Sequence, residues 1–136
     1  MSCHVCGKSL TTNDINLRAM EAVEKFEREH GRVPKDVSRK PRLGYDVEST
    51  DAVGKVRLME VKGYGHEGLE FALRWSQHRA AITNPNKYWL YFVYQCHSET
   101  PHMEPVPWKN AITFGLIRVT SPPSPPLRRL GKTRVG

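Results

Sequence analysis

The chain has 136 residues, of which 21 are Lys or Arg and 14 are Asp or Glu, so its formal net charge is +7. This length is typical of one domain, and a hydrophobic share of 38% is enough for one small core. The sequence contains no apolar run near the roughly 20 residues of a membrane span and no apolar secretory segment. We therefore expect a cytoplasmic protein that is neither inserted into a membrane nor secreted.

The first 12 residues lack helical or strand periodicity and contain a CxxC motif formed by Cys3 and Cys6. This spacing is that of half a zinc ribbon, and a complete site needs two more ligands. Cys96 and its neighbouring histidines supply them only if the fold brings them to the N-terminus. An odd number of cysteines without a secretory context does not indicate disulfides. Structural zinc and a metal-free segment are the two alternatives, and we favour the second.

A helix is predicted over residues 14–30, because apolar side chains recur there at helical spacing and Gly31 follows. These side chains are Ile15, Ala19, Ala22, Val23 and Phe26. Thr12 or Asn13 is the expected N-cap, because a hydroxyl or amide oxygen accepts from the free N–H groups of a first turn. A short extended segment is predicted next, over residues 34–38.

Residues 43–49 and 55–63 are predicted to form an antiparallel β-hairpin, since both alternate and a short turn joins them. In the second strand we expect burial of Val56, Leu58, Met59 and Val61. Glu60 and Lys62 are two residues apart in that strand, so their side chains leave the same face. Asp46, on the first strand, lies opposite them if the register allows.

The remaining elements follow in the order helix, strand, loop and strand. We predict a helix over residues 69–83, a central strand buried on both faces over 87–95, a loop with three prolines over 96–109 and an edge strand over 111–119. The aromatic run inside the central strand is expected to be core rather than a base-stacking platform. Together these elements predict an α/β domain over residues 13–120, with a mixed central β-sheet flanked by α-helices.

Residues 121–136 are rich in proline and then in basic residues, and they contain no acid. Four basic residues lie there, so more than half of the +7 charge belongs to this segment. We predict a disordered, polyproline-like tail. Nonspecific phosphate binding and a purely solubilising role remain equal alternatives for it.

The hairpin carries the residues that point to chemistry. Two carboxylates beside a lysine, here Asp46, Glu60 and Lys62, suit phosphodiester hydrolysis. The carboxylates bind a hard cation such as Mg²⁺, and the lysine orients water and stabilises developing charge. A solvated sheet face with one ion pair is the alternative interpretation. The apolar neighbours of the pair and the glycine-rich segment from Gly63 favour the catalytic hypothesis.

Several stretches of the chain also form one extended pattern, which covers residues 19–23, 26–28, 36–38, 44–49 and 57–63. Its most specific part is the combination GYDxxS…EVKG. From about residue 15 to 95 the chain resembles a domain first defined at the C-terminus of the plant NO VEIN protein and found behind bacterial and archaeal helicases. That domain is similar to the PD-(D/E)xK, restriction-endonuclease-like and Mrr-like nucleases, which implies a restriction-endonuclease-like core.

The resemblance implies roles for individual residues. Asp46 and Glu60 match the two metal-binding carboxylates, which implies a site for Mg²⁺ or Mn²⁺, and Lys62 matches the catalytic lysine. Gln77 and Ala81 match the Q/ExxxA signature of the following helix, so Gln77 is expected to face the active site. Many relatives have glutamate at the position of Gln77.

The superfamily often adds a glutamate from the first helix. Glu27 falls at a position that the family favours and is preferred here over Glu21, which points away from the apolar stripe on a helical wheel. For either residue, a place on a solvated helix face is nevertheless the interpretation that we favour.

DNA is the implied substrate, in a restriction, defence or repair context, and a homodimer or a helicase or restriction-system partner is expected for cutting both strands. The candidate phosphate contacts are Arg39, Lys40, Arg42, Arg74 and Arg79. Contacts of this kind bind DNA without sequence choice and weaken with salt. Two other functions remain open, a nuclease fold that only binds DNA or a protein, and a zinc-stabilised interaction module.

Overall fold

The structure, a computed structural model, describes residues 10–65, 72–113 and 118–119. Its elements are α1 (Thr12–Glu29), β1 (Val33–Asp36), a 3₁₀ turn (Pro41–Leu43), β2 (Val47–Thr50), β3 (Val56–Gly63), β4 (Ala72–Leu73), α2 (Trp75–Thr83), β5 (Tyr88–Tyr94), β6 (His102–Pro107), α3 (Trp108–Thr113) and β7 (Arg118–Val119). Five strands form a mixed sheet in the order β1-β2-β3-β5-β6. The predicted α/β class, with a mixed sheet flanked by helices, is therefore confirmed.

The N-cap of helix α1 lies one residue before the first of the two predicted caps. Thr11 is the N-cap, and its hydroxyl accepts from the Asp14 N–H at 3.1 Å while the Asp14 carboxylate accepts from the Thr11 N–H at 3.0 Å. This reciprocal pair is a capping box, which satisfies two N–H groups that a first turn leaves free. The prediction of Thr12 or Asn13 as the cap was wrong, because Asp14 can close this box only with a hydroxyl three residues before it.

The central hairpin is confirmed, with β2 and β3 antiparallel and Val47 opposite Met59. Strand β3 then pairs with β5 in parallel. The first hairpin strand starts later than predicted, because the chain makes a 3₁₀ turn up to Leu43 and then takes a left-handed conformation at Gly44. Of the four residues expected to be buried in β3, Leu58 and Met59 are, whereas Val56 and Val61 are only half-buried.

The core lies on both faces of the sheet, as the apolar β5 predicts. One buried cluster packs α1 on the sheet through Ala19, Val23, Val47, Met59, Tyr91, Val93 and Cys96. The other packs α2 and α3 on the opposite face through Leu58, Leu73, Ala81, Tyr88, Leu90, Phe92, Trp108 and Ala111. The aromatic side chains of β5 thus belong largely to the core.

The second half of the chain differs most from the prediction. Helix α2 covers only the end of the predicted 69–83 helix, and β4 precedes it. The predicted loop over 96–109 contains β6, whose prolines are tolerated because β6 is an edge strand. The predicted strand over 111–119 starts as helix α3, because Trp108 and Ala111 are buried at helical spacing. Its last residues form β7, which pairs with β4 outside the main sheet.

Cys3, Cys6 and the proline-rich basic tail lie outside the described residues. Cys96 is a buried free cysteine, its thiol donates to the Val93 carbonyl at 3.4 Å, and burial raises its pKa. Among the helices that the structure describes, none is long and apolar enough to cross a membrane.

Candidate functional site

Asp46 lies directly before β2, beside β3. Its backbone N–H donates to the Met59 carbonyl at 2.8 Å, and its carbonyl accepts from the Val37 N–H at 2.8 Å. Its carboxylate Oδ2 accepts from the Val61 N–H at 2.9 Å. A side-chain oxygen therefore adds one more hydrogen bond between this segment and β3, just before the β2–β3 pairing begins. Both the backbone and the carboxylate of Asp46 are therefore held in place next to Glu60.

Glu60 and Lys62 leave the same face of β3. Glu60 is 4% exposed, and its Oε2 lies 3.3 Å from the Lys62 Nζ. Gln77 Nε2 donates to the same oxygen at 2.8 Å. The structure thus brings together all four residues that the resemblance assigned to the active site, Asp46, Glu60, Lys62 and Gln77.

The carboxyl groups of Asp46 and Glu60 both have raised pKa values, and burial is the main cause for each. Burial, followed by the neighbouring charge of Asp46, raises the pKa of Glu60 to about 8, although Lys62 opposes the shift. Burial also raises the pKa of Asp46, against the hydrogen bond from the Val61 N–H. A carboxyl pair that is largely withdrawn from water retains a proton near neutral pH unless a cation replaces it. This donor set fits a hard divalent ion, which carboxylate oxygens prefer to hold.

Gln77 connects Glu60 to the start of α2. While its Nε2 donates to Glu60, its Oε1 accepts from the Arg74 backbone N–H at 2.8 Å. One amide side chain therefore both caps the helix and fixes the orientation of the carboxylate. Ala81, the other member of the predicted signature, is buried in the core beneath α2.

Two glycines allow the helices to approach the site. A Cβ on Gly44 would lie 2.3 Å from the Ser76 carbonyl oxygen, so α2 packs here directly on the backbone. A Cβ on Gly63 would lie 2.7 Å from the Ala19 Cβ. The absence of a side chain at Gly63 therefore lets α1 pack closely on the end of β3. The glycines of the GYD and EVKG motifs therefore set the walls of the site.

The site opens into a cleft of about 450 Å³. Asp46, Glu60 and Lys62 line it together with Arg74 and Gln77. Sequence reasoning missed the residues that α1, the end of β1 and the turn after it add, which are Asn13, Asn16, Leu17, Met20, Asp36 and Ser38. The α1 residues of this set could have been found from the sequence, because their spacing places them on one helical face beside the apolar stripe.

The five candidate phosphate contacts differ in their place relative to the cleft. Arg74 lines the cleft. Arg39 and Lys40 directly follow the cleft residue Ser38, and Arg42 lies in the 3₁₀ turn that packs against α2. Arg79 is exposed on α2.

The two candidate glutamates of α1 lie outside the cleft. Glu27 is fully buried, and its carboxylate accepts from Arg32 Nε at 2.5 Å and from the Tyr91 hydroxyl at 2.7 Å. Burial opposes ionisation, but the hydrogen bonds from Arg32 and Tyr91 outweigh it and lower the pKa of Glu27. A solvated helix face is thus the wrong interpretation for Glu27, which forms a buried ion pair with Arg32. It is the right interpretation for Glu21, which is exposed.

Within the described parts of the chain, no group of three or more His, Cys, Asp or Glu side chains is arranged to hold a metal ion. The two carboxylates that face each other in the cleft are Asp46 and Glu60.

A sequence model of the NO VEIN protein C-terminal family matches residues 15–106. The chain belongs to this family. The NO VEIN C-terminal segment includes Asp46, Glu60, Lys62 and Gln77, so the whole arrangement around Glu60 lies inside it. No curated protein and no solved structure matches the chain.

Proposed function

We propose that this member of the NO VEIN C-terminal family is a metal-dependent DNA endonuclease of the PD-(D/E)xK kind. The observation that carries the proposal is the convergence of Asp46, Glu60 and Lys62 at one end of β3, inside a cleft. A buried and a half-buried carboxylate beside a lysine are groups suited to metal-dependent phosphodiester hydrolysis.

Mg²⁺ or Mn²⁺ is the cofactor that suits this donor set, and Asp46 and Glu60 would hold it. The fit rests on the raised pKa of both carboxyl groups, because a divalent cation compensates the burial of their negative charge as a bound proton does. When bound, such an ion polarises the phosphate and makes a water molecule more acidic.

The residues of the chain have separate tasks. The Lys62 ammonium, 3.3 Å from Glu60, donates to the attacking water or to a phosphate oxygen and stabilises the negative charge that develops there. Gln77 holds the Glu60 carboxylate, and the Val61 N–H holds that of Asp46. Arg74 at the cleft and the exposed basic residues around the 3₁₀ turn would bind DNA phosphates.

Cleavage of a supercoiled plasmid in Mg²⁺ or Mn²⁺ tests the proposal. We expect nicking by the wild type that EDTA abolishes, and a loss of about 100-fold or more in Lys62→Ala. Lys55→Ala is the matched control, because Lys55 is an exposed lysine just before the same strand. If Lys62→Ala nicks the plasmid as fast as the wild type does, the proposal is wrong.

The second candidate function is binding without catalysis, as an accessory to a helicase or restriction system. The observation that favours it is the engagement of Glu60 Oε2 by both Lys62 and Gln77, in a side chain that is 4% exposed. This function predicts salt-sensitive DNA binding that is unchanged in Asp46→Asn, together with no plasmid nicking in either metal.

A further inference from the structure

The α1 wall of the cleft has an unusual composition for a surface that faces a polyanion. Asn13, Asn16, Leu17 and Met20 line it, at the i, i+3, i+4 and i+7 positions of one helical face. None of the described residues that α1 contributes to the cleft carries a charge. Leu17 is nevertheless 62% exposed, although it is a large apolar side chain.

The cations of the cleft lie on its other sides. Lys62 projects from β3, and Arg74 lies at the start of α2. The charged side chains of the middle of α1, among them Arg18 and Lys25, line a separate groove. The cleft is therefore asymmetric. Its charged groups lie away from α1, where Lys62 and Arg74 stand among the carboxylates of the cleft, and the described residues on its α1 side have only amide and apolar groups.

This asymmetry matches the two parts of a nucleotide. Phosphates are bound by Lys and Arg, whereas amide side chains hydrogen-bond base edges and apolar side chains pack on base faces. In duplex DNA the base faces are stacked inside, so an apolar side chain such as Leu17 cannot pack on them unless the duplex is distorted. In an unpaired strand the same faces are available.

We propose that the cleft binds an unpaired DNA strand, with its phosphates towards Lys62 and Arg74 and its bases against Asn13, Asn16, Leu17 and Met20. The inference rests on the proposed function and adds its substrate class. Single-stranded DNA and DNA ends or flaps with unpaired nucleotides are the substrates, rather than blunt duplex.

Fluorescence anisotropy with the full chain carrying Asp46→Asn, which prevents turnover, tests the inference. The probes are a labelled single strand of about 15 nucleotides, its blunt duplex, and the same strand with consecutive abasic nucleotides. We expect the single strand to bind about tenfold more tightly than the duplex, and the abasic strand to bind about fivefold more weakly than the intact one.

Leu17→Ala distinguishes the contact with bases from the affinity that the phosphate contacts provide. This variant is expected to weaken binding of the intact strand about threefold and to reduce the further effect of the abasic nucleotides to about twofold. Val53→Ala is the control, because Val53 is 84% exposed in the hairpin turn, and it should leave all three affinities unchanged.

Equal affinity for strand and duplex, or no effect of the abasic nucleotides in the unaltered cleft, would overturn the inference. If the wild type still nicks plasmid in that case, the proposed hydrolysis stands and only the substrate class is wrong. If Lys62→Ala also nicks plasmid at the wild-type rate, the proposed function fails independently.

Discussion

Gln77 donates through its Nε2 to Glu60 Oε2 at 2.8 Å, so a residue of α2 sets the orientation of a carboxylate on β3. The other end of the same amide accepts from the Arg74 N–H at 2.8 Å. The position of Glu60 therefore depends on where α2 starts and on how closely α2 packs. Any change that moves this helix is expected to reach the cleft through Gln77.

Removal of the Gln77 amide should weaken the binding of a divalent cation more than it lowers the stability of the fold. Gln77→Ala leaves Glu60 without one of its donors, so we expect affinity for Mn²⁺ to fall about tenfold, as for other residues that orient metal ligands. Isothermal titration calorimetry measures this affinity. Ile82→Ala, a truncation at an exposed position of the same helix, should leave it unchanged. Equal losses of Mn²⁺ affinity in the two variants would refute the proposal that Gln77 orients the Glu60 carboxylate for metal binding.

Gly44 should be intolerant of even one methyl group. Its φ is +79°, and a Cβ would lie 2.3 Å from the Ser76 carbonyl oxygen, so Gly44→Ala is strained and displaces α2. We expect it to lower the free energy of unfolding by about 3 kcal/mol. Gly54 has a φ of +88° with nothing within 4 Å, so Gly54→Ala should cost only about 1 kcal/mol. Urea denaturation measures both free energies of unfolding. If the two substitutions lower them equally, the close contact of Gly44 with α2 is not the cause of the loss.

The protonation of Glu60 predicts a dependence of stability on pH in metal-free protein. The pKa of Glu60 is raised from 4.5 to about 8, so its protonated form favours the folded state. The stability that it contributes is fully present below pH 4.5 and is lost as the pH rises through about 8. In EDTA, the Tm of the wild type should therefore fall relative to that of Glu60→Gln between pH 5 and pH 9, by several degrees. Parallel Tm curves for the two proteins would contradict the raised pKa.

Glu27 should matter for folding but not for cleavage. It is fully buried against Arg32, whose side chain is 13% exposed, and Glu27→Gln leaves that guanidinium without its counter-charge. We expect a loss of about 3 kcal/mol in the free energy of unfolding, measured in urea, with unchanged nicking by each folded molecule. Glu29→Gln, at the exposed end of the same helix, is the control and should change neither quantity. A nicking rate that falls in Glu27→Gln would place this residue in the reaction after all.

The arrangement of Glu60 and Lys62 was predictable because it depends on local geometry. Two residues of one strand with one residue between them share a face whatever surrounds them. The sequence left open the register that brings Asp46 alongside them, and the structure supplies it by placing Val47 opposite Met59. The fold class followed from the same periodicities.

Features that depend on distant parts of the chain were not predictable. Glu27 looked like a residue of a solvated helix face because its partner Tyr91 lies 64 residues away. Strand β6 was missed because its prolines indicate a loop unless the strand is known to lie at a sheet edge. The role of Leu17 in the cleft likewise depends on how closely Gly63 lets α1 approach β3.

The most direct test of the proposed function is a crystal structure of the chain grown with Mn²⁺ and measured at the manganese absorption edge. The proposed function predicts one anomalous peak between Asp46 and Glu60, with carboxylate oxygens about 2.0–2.6 Å from the ion, and its loss in Asp46→Asn. A well-ordered cleft with no peak between these carboxylates at saturating Mn²⁺ would contradict it.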